Sequence, residues 1–323
     1  MAQPLVLVTR RLPDDWIAPL ADACELVIGE DAPGLGPELV GRLGEAEGIF
    51  ALLTERIDAA VLAGAPKLRV VSNMAVGVDN IDVEACTRRR IPVGHTPGVL
   101  TEATADLALA LVLAASRRIF AAAEDARSGR WTTWSPTGWL GRDLSGATLG
   151  ILGYGKIGRA VARRAQGFGM RVLVHTRSQL PDPDVRSVPF AELLAVSDIV
   201  SVHVPLDAHT RGMIDAPALA RMKPGALLVN TARGPIVVTD AVVDALRTGR
   251  LGGAALDVTD PEPLPADHPL YAAPNALVLP HIGSATHGTR KAMARLAAKN
   301  LLAGLAGDPL PHCANPAVYG GPL

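Results

Sequence analysis

The order of residues predicts an α/β protein of two doubly wound parallel-sheet domains, and three observations carry that expectation. Short apolar runs alternate with segments of helical spacing, which implies parallel β-α-β units with right-handed crossovers. The alternation is interrupted once, near residues 101–144, and then restarts. The 323 residues, 49% hydrophobic and 20% charged, suffice for two domains, each with a core of its own.

The first five strand runs are PLVLVT (residues 4–9), ELVIG (25–29), GIFALL (48–53), LRVVSN (68–73) and IPVGHT (91–96). A long helical pattern then opens with the capping-type TEAT at Thr101 and continues through ADLALALVLAASRRIFAAAEDARSG. Its Ala/Leu density predicts burial against something large, a domain junction or a partner subunit. The loop WTTWSPTGWLGRDL gathers Trp131, Trp134 and Trp139. Strand runs resume with SGATLGILG (145–153), MRVLVHT (170–176), VRSVPF (185–190), DIVSVHV (198–204), ALLVNT (226–231), GGAALDV (252–258) and ALVLP (276–280). A closing helix, ATHGTRKAMARLAAKNLLAGLAG, precedes the tail HCANPAVYGGPL, which is expected to return to the first domain. The expected boundaries place residues 1–98 and 286–323 in one domain and 99–285 in the other.

Composition excludes several classes of function. A net charge of −1 gives no global attraction to nucleic acid or to an anionic membrane, so an anionic substrate must be caught by local charge. Cys24, Cys86 and Cys313 are scattered without metal-ligand or redox spacing, and neither a disulfide framework nor a bound metal is expected. The N-terminus runs straight into a strand pattern with no charged leader, and LALALVLAA from Leu107 is too short to span a bilayer. A cytoplasmic location is expected.

The run LGILGYGKIG ends in Gly153-x-Gly155-x-x-Gly158 and is followed by helical spacing, the strand, turn and helix that a dinucleotide requires. The first glycine permits the sharp turn, the second lets backbone approach a pyrophosphate, and the third lets helix and strand pack closely. An acidic residue that binds the adenine-ribose 2′-OH would stand at the end of the next strand, yet Thr176, Arg177 and Ser178 stand there. A guanidinium in that place pairs with a 2′-phosphate, which predicts NADP(H) in preference, with NAD(H) as the alternative. The competing reading of Arg177 is a solvated loop residue.

Three candidate site residues follow strand ends. Arg233 lies just beyond ALLVN, Glu262 stands between Pro261 and Pro263 after GGAALDV, and His281 follows ALVLP. In open parallel sheets ligands bind beyond the carboxyl ends of strands. The three suit hydride transfer to a 2-oxo acid: Arg233 to grip the carboxylate and polarise the ketone, and His281 to protonate the oxygen. Glu262 would orient the ring and favour its charged form. His203, in VHVPLDAHT, is a candidate to line the cofactor cleft. His95, His209, His268, His287 and His312 read as loop or helix-surface residues.

Together VSNMAVGVDNID, TPGVLTEATADLALAL, LGILGYGKIG, VSVHVPLDAHT, NTARGPIVV, GGAALDVTDPEPLP and LPHIGSAT resemble the D-isomer-specific 2-hydroxyacid dehydrogenases, most closely the glyoxylate/hydroxypyruvate reductase branch. The resemblance implies a Rossmann dinucleotide-binding domain inserted into a flavodoxin-like substrate domain, with Arg233, Glu262 and His281 catalytic. It implies that the Val76 and Gly77 amides bind the carboxylate, that Leu52 and Leu53 border the substrate, and that Ser284 lies beside it. It matches Thr104, Lys156, Ile157, Pro205, Thr210, Thr231, Ala232, Asp257 and Gly283 to cofactor-contacting positions. Members are usually homodimers joined through the cofactor domain, and Trp139 is similar to a tryptophan that approaches the neighbouring subunit's substrate site.

The expected activity is NADPH-dependent reduction of glyoxylate and hydroxypyruvate to glycolate and D-glycerate. A broader 2-oxo-acid reductase acting on pyruvate or larger acids is the alternative within enzymes. A dinucleotide-sensing corepressor is the alternative outside them, although the chain has neither a disordered tail nor a basic patch.

Overall fold

A computed structural model describes residues 3–32, 34–177 and 185–320, which divide into two compact units. The first unit holds residues 1–100 and 286–323, and the second holds 101–285.

In the first unit, β1 (Leu5–Val8), β2 (Glu25–Ile28), β3 (Gly48–Ala51), β4 (Val70–Asn73) and β5 (Val93–Gly94) form a parallel sheet ordered β2-β1-β3-β4-β5, the flavodoxin-like order. β1 and β3 read as unbroken apolar runs because both faces are covered. Leu5 and Leu7 point into one core with Ile49 and Val71. The closing helix, α11 (His287–Ala306) in chain order, packs against β3, β4 and β5 on the other face. Gly304 permits this, since a Cβ there would lie 2.6 Å from Val70. Ser72 Oγ donates to Ala297 O at 2.8 Å, and buried Asn300 links His95 to His312. The tail comes back to the same sheet: Gly94 bridges Cys313, and Asn315 Oδ1 accepts from Val93 N.

In the second unit, β6 (Thr148–Leu152), β7 (Arg171–His175), β8 (Arg186–Ser187), β9 (Ile199–Val202), β10 (Ala226–Asn230), β11 (Leu251–Leu256) and β12 (Ala276–Val278) form a parallel sheet ordered β12-β11-β10-β9-β6-β7-β8. This is the Rossmann order, and it reverses between β6 and β9. Alternation along β10 feeds two cores: Leu227 and Val229 face α5 (Thr101–Ser116) and α7 (Lys156–Gly167), while Leu228 faces α8 (Phe190–Val196), α9 (Ala216–Arg221) and α10 (Thr239–Arg247). No helix among the described residues is long and apolar enough to cross a membrane.

The helical pattern from Thr101 departs from expectation in two ways. It is not one helix: α5 stops at Ser116 and α6 (Ile119–Arg127) starts afresh, with Arg118 between them in the left-handed region at φ +51°. The Ser116 carbonyl, which would accept from the next turn, accepts from Arg142 N at 2.8 Å instead, and Gly141 has no Cβ to obstruct that approach. Nor does the apolar density of α5 require a domain junction or a partner subunit. Ala105, Ala108, Leu111 and Val112 are buried within the second unit, where the helix packs on β10, β11 and α7.

Candidate active site

At the reversal of strand order, Gly153 ends β6 and the His203–Pro205 segment leaves β9. Gly153 has φ +93°, and a Cβ on it would lie 2.7 Å from the His203 backbone, so the sharp turn and the neighbouring strand both require glycine. A Cβ on Gly158 would strike Gly153 O, whereas one on Gly155 would meet nothing within 4 Å. Gly155 is the N-cap of α7 and brings no side-chain acceptor, so the first-turn N–H groups at Lys156 and Ile157 keep their positive field for an anion.

Other expected cofactor contacts follow neighbouring strands of the same sheet. Thr210 Oγ1 donates to Pro205 O at 2.6 Å and fixes the loop after β9. His203 Nε2 meets Ser201 Oγ at 2.8 Å, and burial pushes the imidazole down to about 4, so the ring is neutral at pH 7. Thr231 lies just past β10, and its buried Oγ1 has no hydrogen-bond partner among the described residues. An open glycine turn, an uncapped helix start and an orphaned hydroxyl fit a dinucleotide. Thr176 and Arg177 follow β7, and Ser178 lies outside the described residues. Arg177 is not simply solvated: its Nη2 donates to Asp207 Oδ2 at 3.2 Å.

Arg233 is set by an asparagine that closes β10. Asn230, fully buried, donates from Nδ2 to Arg233 O at 2.9 Å and accepts from Ala232 N at 3.0 Å. Gly234 then rests directly on the Thr259 backbone, where any Cβ would collide, so the Arg233 loop lies against the loop that leads to Glu262. His281 Nδ1 donates to Glu262 Oε1 at 2.7 Å. The peptide bonds before Pro261 and Pro263 are both cis.

His281 has φ +54°, a left-handed conformation that a non-glycine residue adopts only when held. Asp257 holds it: its carbonyl accepts from His281 N at 2.9 Å, Oδ1 from Ile282 N at 2.7 Å, and Oδ2 from Gly283 N at 2.8 Å. Burial raises the pKa of Asp257, and the two N–H donors and nearby His281 oppose that rise. Thr104, at the start of α5, touches the place a Gly283 Cβ would occupy, and Ser284 continues the same loop. Trp139 is not brought to this group. Its Nε1 donates to Asp125 Oδ2 of α6 at 2.7 Å, and nearby Arg142 reaches Gly225, at the amino-terminal edge of β10.

In the first unit the 75–78 turn follows β4. Its carbonyls face inward: Ala75 O accepts from Thr96 N at 2.8 Å, Val76 O from His95 Nδ1 at 3.0 Å, Gly77 O from Asn73 Nδ2 at 2.9 Å, and Val78 O from Ile81 N at 3.0 Å. The Val76 and Gly77 N–H groups have no acceptor among the described residues. Such a turn offers donors to an anion without a charged side chain. Leu52 and Leu53, half-buried, follow β3.

Asn73, His95, Asp207 and Asn230 take part in these arrangements and were not expected from sequence. For Asn73 and Asn230 a signal was present: each is an asparagine closing a fully buried strand, where it must bond locally.

A sequence profile described as "D-isomer specific 2-hydroxyacid dehydrogenase, NAD binding domain" matches residues 109–283. A glyoxylate reductase of Korarchaeum cryptofilum is 46% identical over 97% of this chain and 96% of its own length. The crystal structure of the TT0316 protein from Thermus thermophilus superposes with a TM-score of 0.91 at 49% identity, covering 96% of this chain and 99% of that one. That of an NADPH-dependent glyoxylate/hydroxypyruvate reductase from Sinorhizobium meliloti, in complex with NADP and malonate, gives 0.86 at 31% identity, covering 97% of each chain.

Proposed function

The chain belongs to the D-isomer-specific 2-hydroxyacid dehydrogenases, oxidoreductases that use a nicotinamide dinucleotide, and on that premise we propose that it reduces glyoxylate and hydroxypyruvate with NADPH. The products are glycolate and D-glycerate. The observation that carries the reading is the 2.7 Å pair of Glu262 and His281, set on the Asp257-anchored loop.

When bound, the reduced nicotinamide supplies a hydride to the 2-oxo carbon. His281, as imidazolium, gives its Nε2 proton to the carbonyl oxygen, so that hydride and proton together turn C=O into CH–OH. Glu262 accepts from Nδ1–H throughout, which directs the ring and stabilises its charge before the proton leaves. Arg233 pairs with the substrate carboxylate and draws electron density from the ketone. The Val76 and Gly77 N–H groups donate to a carboxylate oxygen, and Leu52 and Leu53 limit the side chain admitted. In the reverse direction neutral His281 takes the hydroxyl proton.

Gly153, Gly155, Lys156, Ile157 and Gly158 would hold the pyrophosphate. Thr104, His203, Pro205, Thr210, Thr231, Ala232, Asp257 and Gly283 would border the rest of the cofactor. The absence of a carboxylate directly after β7, with Thr176 in its place and Arg177 next to it, supports NADPH. A 2′-phosphate on Arg177 shares that guanidinium with Asp207. We read the exposed Ile119, Phe120, Trp131, Trp134 and Leu140 as the surface on which a second copy of this chain docks. Light scattering that reports a monomer at micromolar concentration refutes the dimer.

Steady-state rates with NADPH and NADH against a panel of 2-oxo acids test the whole. Highest kcat/KM with glyoxylate or hydroxypyruvate and NADPH is expected. No turnover of either acid removes the substrate assignment, faster turnover of pyruvate or larger acids gives the broader reductase, and preference for NADH removes the cofactor assignment.

A further inference from the structure

The donor turn at Val76 and Gly77 is braced by side chains that take no part in proton or hydride transfer. Asn80 Nδ2 donates to Leu52 O at 3.0 Å and to Glu55 O at 2.9 Å, while its Oδ1 accepts from Asn73 Nδ2 at 2.9 Å. Asn73, fully buried at the end of β4, gives its other hydrogen to Gly77 O. The paired amides thus tie the 76–77 turn to the segment after β3, two stretches some 25 residues apart in the chain.

Leu52 is gripped from its other side as well. Its N–H donates to Thr9 Oγ1 at 3.2 Å, and that hydroxyl donates to Glu55 Oε2 at 2.9 Å. The Glu55 carboxylate, fully buried, also accepts from Arg10 Nε at 3.1 Å and Thr54 Oγ1 at 2.6 Å. Every polar backbone atom of Leu52, and the carbonyl that turns the Gly77 peptide, is therefore bound within one network. A buried charge with three donors is a costly element to keep if its work is packing alone.

We propose that Asn80 is a positioning residue that sets affinity for the 2-oxo acid, by locking the Leu52 segment and the Val76–Gly77 donors into one rigid pocket wall. The proposal rests on the reading that those two N–H groups take the substrate carboxylate. Donors already fixed in place bind an anion without first being ordered, and that advantage disappears when the brace is cut. Because the brace touches neither His281 nor the glycine turn, its loss falls on substrate affinity and spares both the chemical step and the dinucleotide.

The test compares wild type with Asn80→Ala and Asn80→Ser, the serine keeping one donor. KM for glyoxylate and Ki for oxalate, a non-reducible analogue, are measured beside kcat and the Kd for NADPH. For Asn80→Ala, KM and Ki rise together by about tenfold, the equivalent of one or two lost hydrogen bonds. Asn80→Ser falls between, and kcat and the NADPH Kd stay within twofold. KM and Ki within twofold of wild type overturn the proposal, as does a parallel loss of kcat and NADPH affinity, which marks general damage. If the alanine variant does not fold, the serine variant is judged by the same criteria. A wild type that neither reduces glyoxylate nor binds oxalate refutes the underlying carboxylate reading instead.

Discussion

Replacing Asp257 with asparagine tests whether the left-handed His281 is held in place by the carboxylate beneath it. A non-glycine residue in that conformation costs about 1–2 kcal/mol. The carboxylate offsets this through charge-assisted bonds from Ile282 N at 2.7 Å and Gly283 N at 2.8 Å, each worth about 1.5–3 kcal/mol. The amide of Asp257→Asn would keep one acceptor and turn an NH2 group toward the second N–H, so the loop loses about 2–3 kcal/mol. The one neutral bond that remains, about 0.5–1.5 kcal/mol, does not exceed the cost of the left-handed state, and His281 then spends most of its time away from Glu262. With His281 so displaced, kcat falls by about 30- to 100-fold. Both Asp257 oxygens are already engaged with backbone, so the NADPH Kd measured by fluorescence shifts by less than about threefold, as one lost contact at the site's edge would give. A variant with kcat within threefold of wild type and normal NADPH binding refutes the reasoning, because the loop would then be held by something else.

Three further outcomes follow from the same geometry. In Asp207→Asn the amide oxygen still accepts from His209 N and Thr210 N, but the carboxylate no longer holds Arg177, so KM for NADPH drops a few-fold while KM for NADH is unchanged; equal effects on both would exclude the competition. Gly158→Ala sets a Cβ against Gly153 O and lowers both Tm and NADPH affinity, whereas Gly155→Ala, with open space around it, weakens NADPH binding at unchanged Tm; similar Tm losses in the two would contradict the assignment. His203 is held neutral in the fold, at about 4 against an ordinary 6.5, so the unfolded chain binds more protons between those values. Stability is therefore full above about pH 6.5 and declines by about 3 kcal/mol as pH falls to 4, and His203→Gln flattens this part of the urea-midpoint profile. An identical profile in the variant would show that other groups govern acid unfolding.

The secondary structure was legible to an unusual depth because its signals are local. Strands covered on both faces are apolar at most positions, so runs such as ALLV in β10 stand out without any knowledge of their neighbours. The glycine turn was legible for a similar reason, since Gly153 answers to its φ and Gly158 to a contact with Gly153 within one β-α unit. The break between α5 and α6 was not legible. It depends on Arg142 N reaching Ser116 O across 26 residues, and SRRIF by itself is a fair helix sequence.

The amino-acid sequence by itself determined which stretches become strands, where the glycine turn joins β6 to α7, and which arginine, glutamate and histidine stand at strand ends. Tertiary structure alone decided what those residues meet: Asp257 under the His281 loop, Asp207 on Arg177, and the Asn73–Asn80 pair behind Gly77. The physical reason is range. Periodicity and turn chemistry act over a few residues, whereas hydrogen-bond partners at strand ends are assigned by sheet order, which brings together loops that lie tens of residues apart in the chain.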